Sequence, residues 1–209
     1  MIKLTNSQME KSLGYYGVEV QDRLLEAIRT YISILLLWSS KISLTTVTDP
    51  LEILKFHFGE SLFAAKSVPI KNGRLADVGS GAGFPGLPLA MLLPHLDVVL
   101  IESNLKKATF LSEIIRTLAL SNVKVWRGRM EEMPRDTMSR FDFATARALG
   151  RHEDLLAWSK ETLTSAGRIV LWLGAEESAR VSRADGWEWI RPISIPDSER
   201  RVLLVGSPQ

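Results

Sequence analysis

From Gly73 onward the hydrophobic positions fall into two alternating rhythms. Short aliphatic and β-branched runs predict strands at Arg74–Val78, Val98–Glu102, Val123–Trp126, Phe141–Thr145 and Arg168–Leu173. Between the second and third runs, Leu105, Ala108, Leu111, Ile114, Ile115 and Leu118 recur at helical spacing behind a Ser103/Asn104 cap. That stripe is expected to pack on the sheet. Strands interleaved with helical periods imply a mostly parallel sheet covered on both faces, a Rossmann-like α/β fold. The tail predicts two further strands, Trp187–Ile193 and Arg201–Val205, joined by a Pro196-Asp197-Ser198 turn. They would close the sheet as an antiparallel hairpin. Before Gly73 the pattern is helical, near Ser7–Leu13, Val20–Trp38 and Leu51–Ser67. The expected organisation is an N-terminal helical extension over residues 1–70 followed by a nucleotide-binding domain over 71–209. No internal repeat or low-complexity tract interrupts it.

Composition narrows the classes. A chain of 209 residues, 45% of them hydrophobic, can bury one substantial core with a small appendage. Cysteine is absent, which removes disulfides, thiolate zinc sites and cysteine nucleophiles, and is consistent with a cytoplasmic location. No metal is expected. The longest apolar stretch, Phe84 to Ile101, is broken by Pro85, Pro88, Pro94, His95 and Asp97, so it is not expected to span a membrane. Residues Met1 to Gly17 lack the apolar centre of a signal peptide. A net charge of +2 is too small to argue for a nucleic-acid partner, which a local patch would have to hold.

The segment from Leu75 to Gly86 joins the first strand to a helix that Pro88 can open. Its glycines, Gly79, Gly81, Gly83 and Gly86, allow a sharp turn and close approach of a ligand to the backbone. Glu102 closes the next strand, where a carboxylate can accept hydrogen bonds from both hydroxyls of a ribose. The alternative is a tight turn without a ligand, followed by a helix-capping acid. The run Gly81-Ala82-Gly83-Phe84-Pro85-Gly86 also satisfies the dinucleotide fingerprint. Asp77, directly before the glycines, argues against a pyrophosphate and suits a cationic amino group. No Tyr-x-x-x-Lys pair for carbonyl reduction is present. A nicotinamide-dependent oxidoreductase stays as the alternative enzyme, and a non-catalytic nucleotide-binding or ribosome-assembly module as the alternative outside enzymes.

An acid before the glycine loop and another at the end of the second strand resemble class I methyltransferases. The string from Asp77 to Gly86, with Phe84-Pro85-Gly86 as its distinguishing part, resembles the 16S rRNA guanine-N7 methyltransferase G family, also called glucose-inhibited division protein B. Further matches are Glu102-Ser103 with Lys106-Lys107 and Phe110-Leu111, Gly128-Arg129-Met130-Glu131, and Phe141-Asp142 with Thr145-Ala146-Arg147-Ala148. The resemblance implies S-adenosylmethionine as cofactor. It implies a cofactor site that includes Gly79, Phe84, Glu102, Met130, Glu131 and Arg147, to which the loop reading adds Asp77 and Gly81, and the strand-end position of Arg147 also suits it to orient the substrate. It further implies 16S ribosomal RNA, free or in the small subunit or an assembly intermediate, as partner, with the target guanine in the 530 loop of helix 18. The protein is expected to act as a monomer.

The chain departs from that family at several positions. Ser39 and Ser43 stand for asparagines in the Trp38–Thr45 motif, Glu60 stands for an aspartate in His57-Phe58-Gly59-Glu60-Ser61-Leu62, and Leu173 stands for a lysine before Gly174. For Arg147 the competing role is a surface ion pair with Glu131 or Asp142. Met130 can wall an adenine slot or sit in the core, Glu131 can hold adenine or cap a turn, and His57 is expected to be structural rather than a base. The tryptophans are expected in packing roles. Cytosine-C5 methylation would need a cysteine, and exocyclic-amine methylation commonly uses an Asn/Asp-Pro-Pro-aromatic loop where this chain has Thr145-Ala146-Arg147-Ala148. Guanine N7 carries a free lone pair and needs no general base, so a chemically quiet site fits it, with proximity supplying most of the acceleration.

Overall fold

The structure is a computed structural model that describes residues 2–134 and 140–209. Eight strands form one sheet in the order β3-β2-β1-β4-β5-β8-β6, with β7 also pairing to β8. Strands β1 (Gly73–Val78), β2 (Leu96–Glu102), β3 (Val123–Arg127), β4 (Phe141–Arg147) and β5 (Leu163–Gly174) run parallel. Strand β8 (Arg201–Pro208) lies antiparallel to β5, and β6 (Trp187–Trp189) and β7 (Ile193–Ser194) lie antiparallel to β8. The strand expected over Trp187–Ile193 is therefore two. Pro192 has no N–H to donate to the ladder, so pairing stops after Ile190 donates to the Val205 carbonyl and resumes at Ile193. Strand β4 runs two residues beyond the expected end, which carries Arg147 into the sheet.

Side-chain alternation divides the core between the two faces. On β1, Leu75 faces one apolar cluster while Ala76 and Val78 face the other. The first cluster is covered by α1 (Asn6–Gly14), α2 (Asp22–Ser39), α5 (Gly86–Leu92) and α6 (Leu105–Thr117), through Leu13, Tyr31, Leu35, Leu87, Phe110 and Leu111. The second is covered by α7 (His152–Thr162) and α8 (Ala175–Val181), through Leu155, Trp158 and Val181. The N-terminal helices thus share one continuous core with the sheet. Their ends carry local signals: Thr5 and Gln8 form a reciprocal capping box on α1, and Asn104 accepts from the Lys106 and Lys107 amides at the start of α6.

The helix expected over Leu51–Ser67 is continuous but not uniform. It opens as α3 (Pro50–Ile53) behind an Asp49 cap, widens into a π-helical stretch over Leu54–Gly59, and closes as α4 (Glu60–Ser67). Both the Ile53, Leu54 and Phe58 side chains and the Glu60, Ser61 and Leu62 side chains are buried. The wide turn carries Glu60 inward together with the apolar stripe.

Candidate functional site

The carboxyl ends of β1, β2, β3 and β4 open onto a cleft, the place where parallel α/β sheets take ligands. Its walls are Val78, Gly79, Ile101, Glu102, Ser103, Gly128, Arg129, Met130, Glu131, Leu149 and Arg151. Glu102 is 6% exposed, yet its carboxylate is held from the protein side. One oxygen accepts from the Gly81 amide at 2.8 Å and the other from the Asn104 amide at 2.7 Å. Two backbone donors use half of the acceptor sites of a carboxylate and fix its direction, leaving the remaining lone pairs for hydroxyl donors. Arg151 spans the rim, 2.9 Å from Glu131 and 2.7 Å from Asp154.

The glycines of the loop divide by task. Gly81 has φ +57, and a Cβ there would meet nothing nearer than the Gly79 carbonyl at 3.7 Å, so the space above it is free for a ligand. Gly86 serves packing instead, because a Cβ would press on an Asp77 carboxylate oxygen at 2.8 Å. Asp77 is 1% exposed and turned inward, accepting from Thr145 Oγ1 at 2.9 Å and from the Gly86 amide at 3.2 Å. Burial raises its carboxyl to about 6, against the lowering effect of these hydrogen bonds. Phe84 also faces the interior. It stacks on Tyr31 with ring centroids 5.4 Å apart and on His57 at 4.8 Å, and the Tyr31 hydroxyl donates to the Ala82 carbonyl. Burial and the neighbouring Arg147 hold His57 down at about 4, so the ring is neutral at physiological pH and exchanges a hydrogen bond with Thr45 Oγ1.

Arg147 has neither of the partners considered from the sequence. Glu131 pairs with Arg151, and Asp142 accepts from the Arg74 amide. The Arg147 guanidinium lies 3.1 Å from Glu60, whose side chain is fully buried and also meets Arg201 at 2.7 Å. Glu60 comes from the helix before the sheet, Arg147 from the end of β4 and Arg201 from the start of β8. Burial pushes the Glu60 carboxyl up while the two arginines pull it down. Burial likewise lowers Arg147, with Glu60 opposing. Trp172 Nε1 donates to the Glu60 carbonyl at 3.0 Å, fastening the same turn to β5.

Of the sequence-derived residues, Gly79, Glu102, Met130 and Glu131 therefore line the cleft together, and Gly81 supports Glu102 from the loop. Asp77 and Phe84 lie behind that wall, as its scaffold, whereas Arg147, mostly buried against Glu60, stands at the end of β4 outside the lining of the cleft. Leu149 and Arg151 were not anticipated. They follow β4 directly, and the only sequence signal was their place in a strand-to-helix loop at the ligand edge. Glu60 was noted only as a departure from a motif, and Arg201 gave no signal at all.

Known proteins bear on this cleft. A sequence profile of the family described as rRNA small subunit methyltransferase G matches residues 24–188. A ribosomal RNA small subunit methyltransferase G from Roseiflexus castenholzii is 38% identical over 200 residues, covering 91% of this chain and 86% of that protein. The protein of the same name from Xylella fastidiosa is 37% identical over 198 residues, covering 91% and 92%. Among solved structures, a ribosomal protein L11 methylase from Lactobacillus delbrueckii subsp. bulgaricus superposes with a TM-score of 0.62 at 14% identity, covering 74% of this chain and 79% of that one. A SAM dependent methyltransferase from Aquifex aeolicus gives 0.60 at 16% identity, covering 72% and 90%. These two share the fold. With the profile spanning most of the sheet and both relatives matched over nearly their whole length, this chain belongs to the rRNA small subunit methyltransferase G family.

Proposed function

We propose that the protein transfers a methyl group from S-adenosylmethionine to N7 of a guanine in 16S ribosomal RNA, the guanine lying in the 530 loop of helix 18. The observation that carries the reading is Glu102: a buried carboxylate, fixed by two backbone amides at the end of β2, with lone pairs left over beside an open glycine turn. That arrangement fits the two ribose hydroxyls of an adenosyl group. Met130 and Leu149 supply apolar walls for the adenine, and Glu131 borders the same slot. Asp77 holds the loop by its hydrogen bond to Gly86 and acts through the backbone. The cofactor supplies a methyl group made electrophilic by its sulfonium.

Guanine N7 presents an unprotonated lone pair, so the residues need to align it and remove no proton. The groups around the loop fit that requirement. His57 is neutral and stacked on Phe84, and both oxygens of Asp77 are occupied internally. Arg147, held by Glu60 at the end of β4, orients the incoming base or its phosphate. The protein acts on 16S ribosomal RNA, free or in the small subunit or an assembly intermediate, in the cytoplasm and as a monomer. No helix among the described residues is long and apolar enough to cross a membrane. The test is to map N7-methylguanosine in 16S RNA from cells with and without the gene, and after adding purified protein and S-adenosylmethionine to the unmodified small subunits. Restoration at one guanine is expected. Unchanged modification in its absence would reject the reading.

A further inference from the structure

A hollow of about 400 Å³ lies outside the cofactor cleft, between α1 and the helix that follows Asp49. Its walls are mainly the rings of Tyr15 and Tyr16 with Leu51, and its rim carries Lys11, Lys55 and Asp197. Tyr15 is 64% exposed, unusual for so large an apolar surface, and is braced edge-on by Tyr16 with centroids 5.9 Å apart. Tyr16 and Ser12 are at least nine-tenths buried; their hydroxyl oxygens are inaccessible and make no hydrogen bond among the described residues, so both side chains back the hollow from the protein side. Burial and the charges of Glu60 and Asp197 push the Tyr16 hydroxyl up to about 12, so it stays neutral throughout the working range. Neither Lys11 nor Lys55 makes an ion pair among the described residues.

We infer that this hollow is a second nucleotide subsite, in which Tyr15 stacks a single-stranded base of the RNA substrate and Lys11 and Lys55 hold the phosphates flanking it. The inference rests on the proposed RNA methyltransferase activity for the identity of that strand. A flat apolar wall with two cations at its rim matches a base with its phosphates, since stacking accepts any base face and the lysines meet the backbone charge. The two lysines suit a ligand that carries regularly spaced negative charge, which an uncharged apolar chain lacks. Asp197 suits a base with an exocyclic amine. The position also fits. The Tyr16 ring leaves no room for a Cβ on Gly59, and the next residue, Glu60, is the partner of Arg147 at the end of β4. One carboxylate therefore separates the floor of the hollow from the sheet edge where the target guanine is received.

The test uses the full chain and a short fluorescein-labelled oligoadenylate, followed by anisotropy. Tyr15→Ala should weaken binding about tenfold, the middle of the range for loss of one stacked base, whereas Tyr15→Phe should bind within about twofold of the parent. Lys11→Ala with Lys55→Ala should weaken binding and flatten its salt dependence. S-adenosylmethionine affinity by calorimetry should not change, because none of the three side chains lines the cleft, and the melting temperature should move little, because Lys11 and Tyr15 are exposed and Lys55 is only partly buried. On small subunits, KM should rise by a similar factor with kcat retained. Equal oligoadenylate affinity in Tyr15→Ala and the parent overturns the inference, as does a Tyr15→Phe variant as weak as Tyr15→Ala. A defect seen only on assembled subunits would assign the hollow to a protein and likewise overturn it. Oligonucleotide binding requires no methyl transfer, so a Tyr15-dependent affinity without methylation would reject the proposed activity and leave the subsite standing. Methylation with parental KM in Tyr15→Ala would do the reverse.

Discussion

The cleft at Glu102 and the charge cluster at Glu60 both hold buried carboxylates, and they handle them in opposite ways. Glu102 is fixed by neutral backbone donors and keeps part of its bonding capacity open. Glu60 is closed on both sides by arginines from distant strands. The first arrangement is prepared for a visitor, and the second is an internal joint held by ion pairs, with neither Glu60 oxygen in an aligned hydrogen bond among the described residues. Removal of a carboxylate should therefore cost binding in one region and folding in the other.

The largest effect is expected from the joint. Glu60→Ala leaves Arg147 buried opposite nothing, and loss of one partner of a buried pair costs about 3–5 kcal/mol. Urea denaturation should show that loss, and a change below about 1 kcal/mol would mean that the exposed arm to Arg201 carries little and that water reaches Arg147. Next comes the pH dependence of two buried groups of opposite sign. Folded Asp77 stays protonated up to about 6 instead of 3.8, so its contribution to stability is present in acid and is lost as pH rises through about 6. Folded His57 resists protonation down to about 4 instead of 6.5, so its contribution is present above 6.5 and is lost as pH falls toward 4. Asp77→Asn removes the first and exposes the second. Its stability should fall more steeply than the parent's on acidification across this window, by on the order of 2–3 kcal/mol. Parallel curves would place the Asp77 carboxyl near its ordinary value.

Smaller effects belong to the cleft. Glu102→Ala should weaken S-adenosylmethionine by about 1–3 kcal/mol in calorimetry, the range for hydroxyls left without a charged acceptor. Unchanged affinity would remove Glu102 from the site. Arg147→Lys keeps the charge beside Glu60 but loses the planar fork. It should slow single-turnover methylation about tenfold, about 1.4 kcal/mol in the barrier, with cofactor affinity nearly kept. Equal losses in rate and affinity would assign Arg147 to cofactor binding instead of substrate orientation.

The contrast also explains what could be read before the fold was known. Strand rhythm, the Gly79–Gly86 turn and the acid closing β2 are local patterns, and local spacing places them in one sheet edge. The parallel direction of the first five strands and the antiparallel end of the sheet followed from the same rhythm, whereas the order of the strands did not. Strand limits were less legible: β4 runs on to Arg147, β5 starts at Leu163 ahead of the expected Arg168, and Pro192 divides the strand expected over Trp187–Ile193. The joint is different in kind. Glu60, Arg147 and Arg201 are far apart along the chain, and their meeting depends on tertiary packing that no periodicity encodes. Phe84 illustrates the same limit, since its motif marked it as special while Tyr31 and His57, which decide that it faces inward, lie on other helices.

The wide turn at Leu54–Gly59 gives the chain an angular setting as well as a path. Each residue of an α-helix advances the facing direction by about 100°. A stretch wound on the broader π spacing delays that advance, and everything from Glu60 to Ser67 inherits the offset. Deleting one residue there would restore ordinary winding and swing Glu60 away from both arginines, even though every remaining side chain kept its chemistry. At the half-buried positions Lys55 and Phe56, exchanges of residue type should consequently cost far less than any change in length.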